Sequence, residues 1–133
     1  MQIGRVAEHS GVPAKTIRYY EEIGLISKPE RTPSGYREYD DRDVEVLRFV
    51  SRARGLGFSI KGVKNLLTLY NDRGRASADV KNIALEHVDE IERKMAELDS
   101  IRRTLLHLAD KCHGDERPEC PILQELAHGP KSV

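Results

Sequence analysis

Tryptophan is missing from this sequence, and its aromatics amount to five Tyr and two Phe in 133 residues. A chain that is 38% hydrophobic and 33% charged has a polar, helix-rich profile with a modest core, and it leaves room for a long exposed helix. No apolar run approaches the roughly 20 residues of a membrane span. No charged-then-apolar leader opens the sequence, so no secretory signal and no membrane partner are expected, and the cytoplasm is the expected compartment. A Gly-rich phosphate loop, a Ser/His/Asp order and a plausible carboxylate pair are also missing, which argues against an enzyme. Cysteine is almost absent: the only two are Cys112 and Cys120. So close together near one end, in a reduced compartment, they read as metal ligands or a redox switch; in an oxidising one they read as a disulfide.

Net charge is zero, but its distribution is uneven. Residues 1–75 hold 14 Lys and Arg against 10 Asp and Glu, whereas residues 76–133 hold 8 against 12. The basic first part suits a polyanion such as DNA.

Apolar spacing predicts a helix from Ile3 to Ser10, broken by Gly11. A second follows Pro13, with Ile17, Tyr20 and Ile23 inward and Gly24 ending it. Two short helices around a Gly turn read as helix-turn-helix. The segment SKPERTPSGYREY over 27–39 has turn chemistry, and Arg31 with Tyr36 and Tyr39 suggests a small two-stranded hairpin. A third helix starts at Asp40 or Asp41, with Val44, Leu47, Val50 and Ala53 as its stripe. GLGF at 55–58 breaks it. Ser59 caps a fourth helix, with Ile60, Val63, Leu66, Leu67 and Tyr70 facing in.

Ser77 is read as the cap of a long helix over 78–109. Its apolar residues, from Val80 through Ile91, Leu98 and Leu105 to Leu108, recur in steps of mostly three and four, a seam of about four heptads. Such a rod is near 48 Å long, at about 1.5 Å per residue. It cannot bury its seam on a domain of some 70 residues, so a homodimeric coiled coil is expected. A polar loop then leads to a short helix opened by Pro121, and the final HGPKSV reads as a frayed tail. The expected domains are 1–75, 76–110 and 111–133.

On the exposed face of the second helix, Lys15, Thr16, Arg18 and Tyr19 are candidates for groove contact, since a recognition helix reads bases mainly from its N-terminal residues. Arg31, Tyr36 and Arg37 form a cationic, aromatic wing suited to phosphate or minor-groove contact. Arg52 and Arg54 add charge at the end of the third helix.

Cys112 and Cys120 are separated by seven residues, CHGDERPEC. A loop can bring both sulfurs to one point. Two soft thiolates suffice for a linear monovalent d10 ion, whereas zinc prefers four ligands. Further ligands would have to come from His107, His113, Ser77 or a partner chain. Pro121 aims a helix N-terminus at the second sulfur, and that end carries roughly half a positive charge. This suits the net negative charge of two thiolates and one monovalent ion, and Lys81 is placed to help.

The stretch IGRVAEHSGVPAKTIRYYEEIGLI, followed by RTPSGYREY and RARGLGFSI, resembles the winged helix-turn-helix of the MerR family of transcription regulators. SADVK at 77–81, the long helix and CHGDERPECPI are similar to the family's copper-efflux regulators. The resemblance covers nearly the whole chain. It implies a mainly α fold: an N-terminal winged helix-turn-helix, a long dimerisation helix in an antiparallel coiled coil, and a C-terminal metal-binding loop with a short helix. It also implies that Cys112 and Cys120 bind Cu(I), Ag(I) or Au(I). Ser77 stands where divalent-sensing relatives carry cysteine. Lys15, Arg18, Tyr19, Arg31, Tyr36, Arg37 and Arg54 fall where the family contacts DNA. The implied partners are promoter DNA, a second copy of the chain and RNA polymerase, and the implied activity is metal-triggered activation of copper-resistance genes by DNA distortion. A redox regulator using a Cys112–Cys120 disulfide is the alternative. A drug-binding regulator is disfavoured, because only 24 residues follow Ala109.

Overall fold

The computed structural model describes residues 1–129. Six helices follow in order: α1 Ile3–Ser10, α2 Ala14–Glu22, α3 Asp41–Gly55, α4 Ile60–Asn71, α5 Ser77–Lys111 and α6 Pro121–His128. The chain divides into two compact units, Met1–Lys81 and Asn82–Val133.

In the first unit, α1 packs on α2 and α3, and α3 packs on α4. The sequence stops each helix by a local device. Gly11, in the left-handed region with φ 75°, ends α1 and returns its amide to Ala7. Gly24 (φ 73°) ends α2: its N–H donates to the Glu21 carbonyl and that of Leu25 to the Tyr20 carbonyl, a Schellman pair. Gly57 and Phe58 repeat the same two bonds behind α3, onto Arg54 and Ala53. At the start of α3, Asp40 and Asp43 exchange side-chain-to-backbone bonds of 2.9 Å each, which closes a capping box. Ser59 accepts from the Gly62 amide at 3.1 Å and starts α4, as its sequence position suggests.

These caps orient the apolar stripes onto one core. Val6, Ile17, Leu47, Val50 and Val63 are fully enclosed, with Val12, Leu25, Val44, Ala53 and Leu67 around them. Burying each large aliphatic side chain stabilises the unit by roughly 1.5–3 kcal/mol.

The expected two-stranded hairpin is reduced to a single antiparallel bridge, Arg31 to Arg37. The turn inside it is tight: Thr32 N–H donates to the Tyr36 carbonyl at 2.7 Å and Gly35 N–H to the Thr32 carbonyl at 2.8 Å. On the other side of the bridge Glu38 N–H donates to the Glu30 carbonyl at 2.9 Å, and the pairing ends there.

Helix α5 outruns the expected 78–109 by one residue at its start and two at its end. Ser77 is its first residue rather than the cap before it; the Asp79 amide bonds to the Ala76 carbonyl instead. The expected seam is present but uncovered. Val88, Ile91, Met95, Leu98, Ile101 and Leu105 are exposed, Leu98 to 65%, and of the seam only Leu108 is buried among the described residues. Helix α6 runs two residues beyond the expected PILQEL, and Gly129 caps it. The rest of the expected tail, residues 130–133, lies outside the described residues. No helix among the described residues is long and apolar enough to cross a membrane.

Leu47, with no exposed surface, gives the direct test of this core. Leu47→Ala is expected to cost about 3 kcal/mol in urea unfolding at fixed protein concentration. A loss under about 1 kcal/mol would mean the core is not packed as described.

Candidate metal centre and nucleic-acid surface

Helix α2 is two-faced. Ile17, Tyr20 and Glu21 are buried, while Lys15, Arg18 and Tyr19 are exposed and Thr16 is half-buried. The side chains expected to meet DNA therefore share the outer face, displayed by a helix that the core holds from behind. Beside it, Arg31 and Tyr36 stand exposed on the wing turn. Arg18, Arg31, Tyr36 and Arg37 line one open groove. This gathering of a helix cation with wing residues is what phosphate contact requires.

Two of the expected contacts have intramolecular partners. The Arg37 guanidinium lies 2.7 Å from a Glu21 carboxylate oxygen, on a side chain only 1% exposed. The other Glu21 oxygen accepts from the Tyr39 hydroxyl. Burial, and then the bond to Glu21, push the Tyr39 hydroxyl up to about 12. Arg54 donates to the Phe58 carbonyl at 2.8 Å and so braces the α3–α4 link; it does not line the wing groove.

Sequence reasoning missed Glu21. Its signal was positional: residue 21 lies one turn beyond Ile17 on the inward face, and an acid there needs a buried partner. Arg48 was missed too. It donates to the His9 carbonyl at 3.0 and 2.7 Å and so caps the end of α1.

In the second unit, α5 ends at Lys111, and the Cys112 amide closes onto the Ala109 carbonyl at 3.1 Å. The loop turns at Gly114, with φ 64°. Arg117 clasps Asp115 through its backbone amide at 3.0 Å and its guanidinium at 2.8 and 2.7 Å. That clasp holds the Asp115 carboxyl below the usual carboxylate range. Cys120 occupies the N-cap position of α6, with Pro121 directly behind it.

The loop brings the two sulfurs to 4.0 Å, both half-buried. A disulfide bond is about 2.05 Å long, so these are free thiols. The Cys120 thiol is held below the ordinary thiol range, chiefly by the Leu123 amide, with the Ile122 amide and the Cys112 thiol adding to it against partial burial. No side-chain cap bond closes at Cys120; the thiol sits at the N-terminal end of α6, where a developing negative charge is favoured.

What can such a pair hold? Among the described residues, no three His, Cys, Asp or Glu side chains converge on one point. His107 and His113 are exposed, and His87 faces Glu90 at 3.7 Å. The donor set is two soft thiolates, which fits a two-coordinate monovalent d10 ion and does not by itself complete a four-ligand zinc site. At 4.0 Å apart, the two sulfurs would be close enough for one soft ion to bind both. Ser77 and Lys81 sit exposed in the first two turns of α5.

Known proteins resemble this chain along nearly its whole length. Residues 1–69 match the model of the MerR HTH family regulatory protein, and residues 44–108 match the model described as MerR, DNA binding. Heavy metal-dependent transcription regulator 2 of Rhizobium meliloti (strain 1021) is 58% identical over 133 residues, covering 100% of this chain and 90% of that protein. The HTH-type transcriptional regulator CueR of Salmonella typhimurium is 44% identical over 127 residues, 96% of this chain and 92% of its own. The crystal structure of the transcription regulator PbrR691 from Ralstonia metallidurans CH34, in complex with lead(II), aligns with a TM-score of 0.83. Its identity is 28%, over 95% of this chain and 98% of that one.

The lowered Cys120 thiol has a direct readout. In the Cys112→Ser chain, the rate of iodoacetamide alkylation of Cys120 is expected to rise with pH through a midpoint below the ordinary thiol value of about 8.5. A midpoint at or above that value would contradict stabilisation by the α6 amides.

Proposed function

The chain belongs to the MerR family of transcription regulators, and on that premise we propose that it is a copper-efflux-type regulator. It binds promoter DNA as a homodimer and activates copper-resistance genes when Cu(I), or the similar Ag(I) or Au(I), occupies Cys112 and Cys120. That it is a metal-responsive, DNA-binding regulator and not an enzyme follows from the family and its relatives. The observation that carries the finer reading is the sulfur pair: two thiols 4.0 Å apart, one lowered by helix amides, with no convergent third ligand among the described residues.

Charge supports the same choice. Two thiolates with a monovalent ion leave one negative charge, which the α6 N-terminus favours. A divalent ion would leave the pair neutral and that favour unused. Bound there, the ion supplies a fixed link between the two sulfurs. The protein does the rest. Cys112 anchors the end of α5, Cys120 anchors the start of α6, and tying the two sulfurs together orders the loop. We read this as shifting a pre-existing equilibrium of the dimer towards a form that bends and underwinds the promoter, so that RNA polymerase finds its elements aligned. A swing from 1:99 to 99:1 needs about 5.5 kcal/mol of differential binding, shared between two sites per dimer. Ser77 and Lys81 are proposed to tune the site against divalent ions. Lys15, Thr16, Arg18 and Tyr19 are proposed to enter the groove, with Arg31, Tyr36 and Arg37 on the wing and Arg54 beside the α3–α4 link.

The uncovered α5 seam supports the homodimer, and the family resemblance supports its antiparallel order. Leu98→Glu, which puts a charge in mid-seam, is expected to move the chain from dimer to monomer in sedimentation at micromolar concentration. A chain still dimeric would place the interface elsewhere.

A promoter-reporter assay under anaerobic, reducing conditions tests the metal reading. Cu(I) and Ag(I) are expected to activate, Zn(II) is not, and Cys112→Ser or Cys120→Ser should abolish activation while DNA affinity stays within about twofold. Equal activation by Zn(II) would overturn the monovalent site. The 4.0 Å separation also permits a second reading, a disulfide switch; activation by oxidant with copper excluded would favour it.

A further inference from the structure

Helix α2 carries an anion where DNA recognition does not want one. Glu21 is 3% exposed, and its carboxylate receives two side chains from the same arm of the wing: the Tyr39 hydroxyl on one oxygen and the Arg37 guanidinium on the other. Tyr39 is itself 2% exposed, and its amide donates to the Met1 carbonyl at 2.8 Å. Arg37 is paired across the turn with Arg31. The returning arm of the wing is therefore fastened at two consecutive inward positions, 37 and 39, to one buried carboxylate on the helix expected to enter the groove.

A buried carboxylate is costly unless it is paired and hydrogen-bonded. The wing cannot swing away from α2 without stranding that charge, and α2 cannot rotate without dragging the wing. The turn itself has no strand ladder to stiffen it, only a single bridge. Its stiffness has to come from elsewhere: Met1 holds the Glu38–Tyr39 end of the arm, and Glu21 ties the arm to α2. The Tyr39 hydroxyl, pushed up to about 12, stays protonated and donating at all working pH.

From this we infer that Glu21 is a positioning residue for DNA recognition: through Tyr39 and Arg37 it fixes the wing beside α2, so that Arg31 and Tyr36 meet the backbone in register with Arg18. Glu21 touches no DNA. The inference rests on the DNA-binding reading above and goes beyond it. It makes an unusual demand. Removing an acid from a recognition helix ordinarily strengthens binding to a polyanion, on any sequence. Here it weakens binding, and only on the right sequence.

The test uses the full-length chain, a duplex it selects from a random pool, and a scrambled duplex of equal length. Glu21→Gln keeps the shape and removes the charge. It is expected to weaken the selected duplex at least tenfold and the scrambled one less than twofold, with the slope of log K against log salt unchanged, since a loosened wing still reaches a phosphate on any duplex and loses only its register with Arg18. Arg31→Met, by contrast, should reduce that slope by about 0.9 per protomer on both duplexes. Tyr39→Phe keeps the ion pair and should show a smaller loss with the same selectivity; it decides the matter if Glu21→Gln does not fold. Unchanged or tighter binding by the selected duplex, or equal weakening of both, overturns the inference. A wild-type chain that selects no duplex defeats the DNA-binding reading itself.

Discussion

The amides that open α6 face one of two sulfurs, and the chemistry available to the C-terminal unit follows from that contact. They lower the Cys120 thiol, and under the proposed reading they would favour a metal site that keeps a negative charge once filled. Two thiolates satisfy this with a singly charged ion and lose it with a doubly charged one. The loop reinforces the choice by what it does with its other donors. Asp115 is spent on Arg117, and the neighbouring histidine is exposed. Among the described residues, no carboxylate or imidazole joins the two sulfurs in a group of three.

A comparable economy governs the DNA-binding unit. Its core is aliphatic and its helices are short, so orientation depends on caps and on a few polar fastenings: Asp40 with Asp43, Arg48 on the end of α1, Arg54 on the α3–α4 link, and Glu21 beneath the wing. Cations at the end of a helix or a turn therefore divide into two kinds. Lys15, Arg18 and Arg31 remain on the exposed face, whereas Arg48 and Arg54 hold backbone carbonyls. Arg37 belongs to both, half-exposed in the groove and half-committed to a buried acid. The long α5 adds the remaining feature, an apolar seam that is exposed along most of its length.

Much of this was legible in the residues because it is local. Gly24 and Gly57 announce helix ends through a backbone conformation that side chains disfavour, Ser59 and Asp40 announce starts, and the stripes of α3 and α4 follow from period alone. The cysteine pair was legible as a pair, and its separation was not, because an eight-residue step through a loop does not fix a sulfur–sulfur distance. The wing was read as two strands where one bridge forms, because turn chemistry marks where the chain reverses and not how far its arms pair. Ser77 was read as a cap and is the first helical residue, a one-residue shift of the kind that helix starts allow. Glu21 was passed over because its partners lie 16 and 18 positions away. Long-range pairing of a buried charge leaves a mark on the sequence only as an acid in an apolar stripe.

The copper K-edge absorption fine structure of the anaerobically Cu(I)-loaded chain tests the two-sulfur centre most directly. The account predicts two sulfur scatterers per copper and no nitrogen or oxygen in the first coordination shell. A shell of three or four ligands, or any nitrogen donor within it, would contradict it.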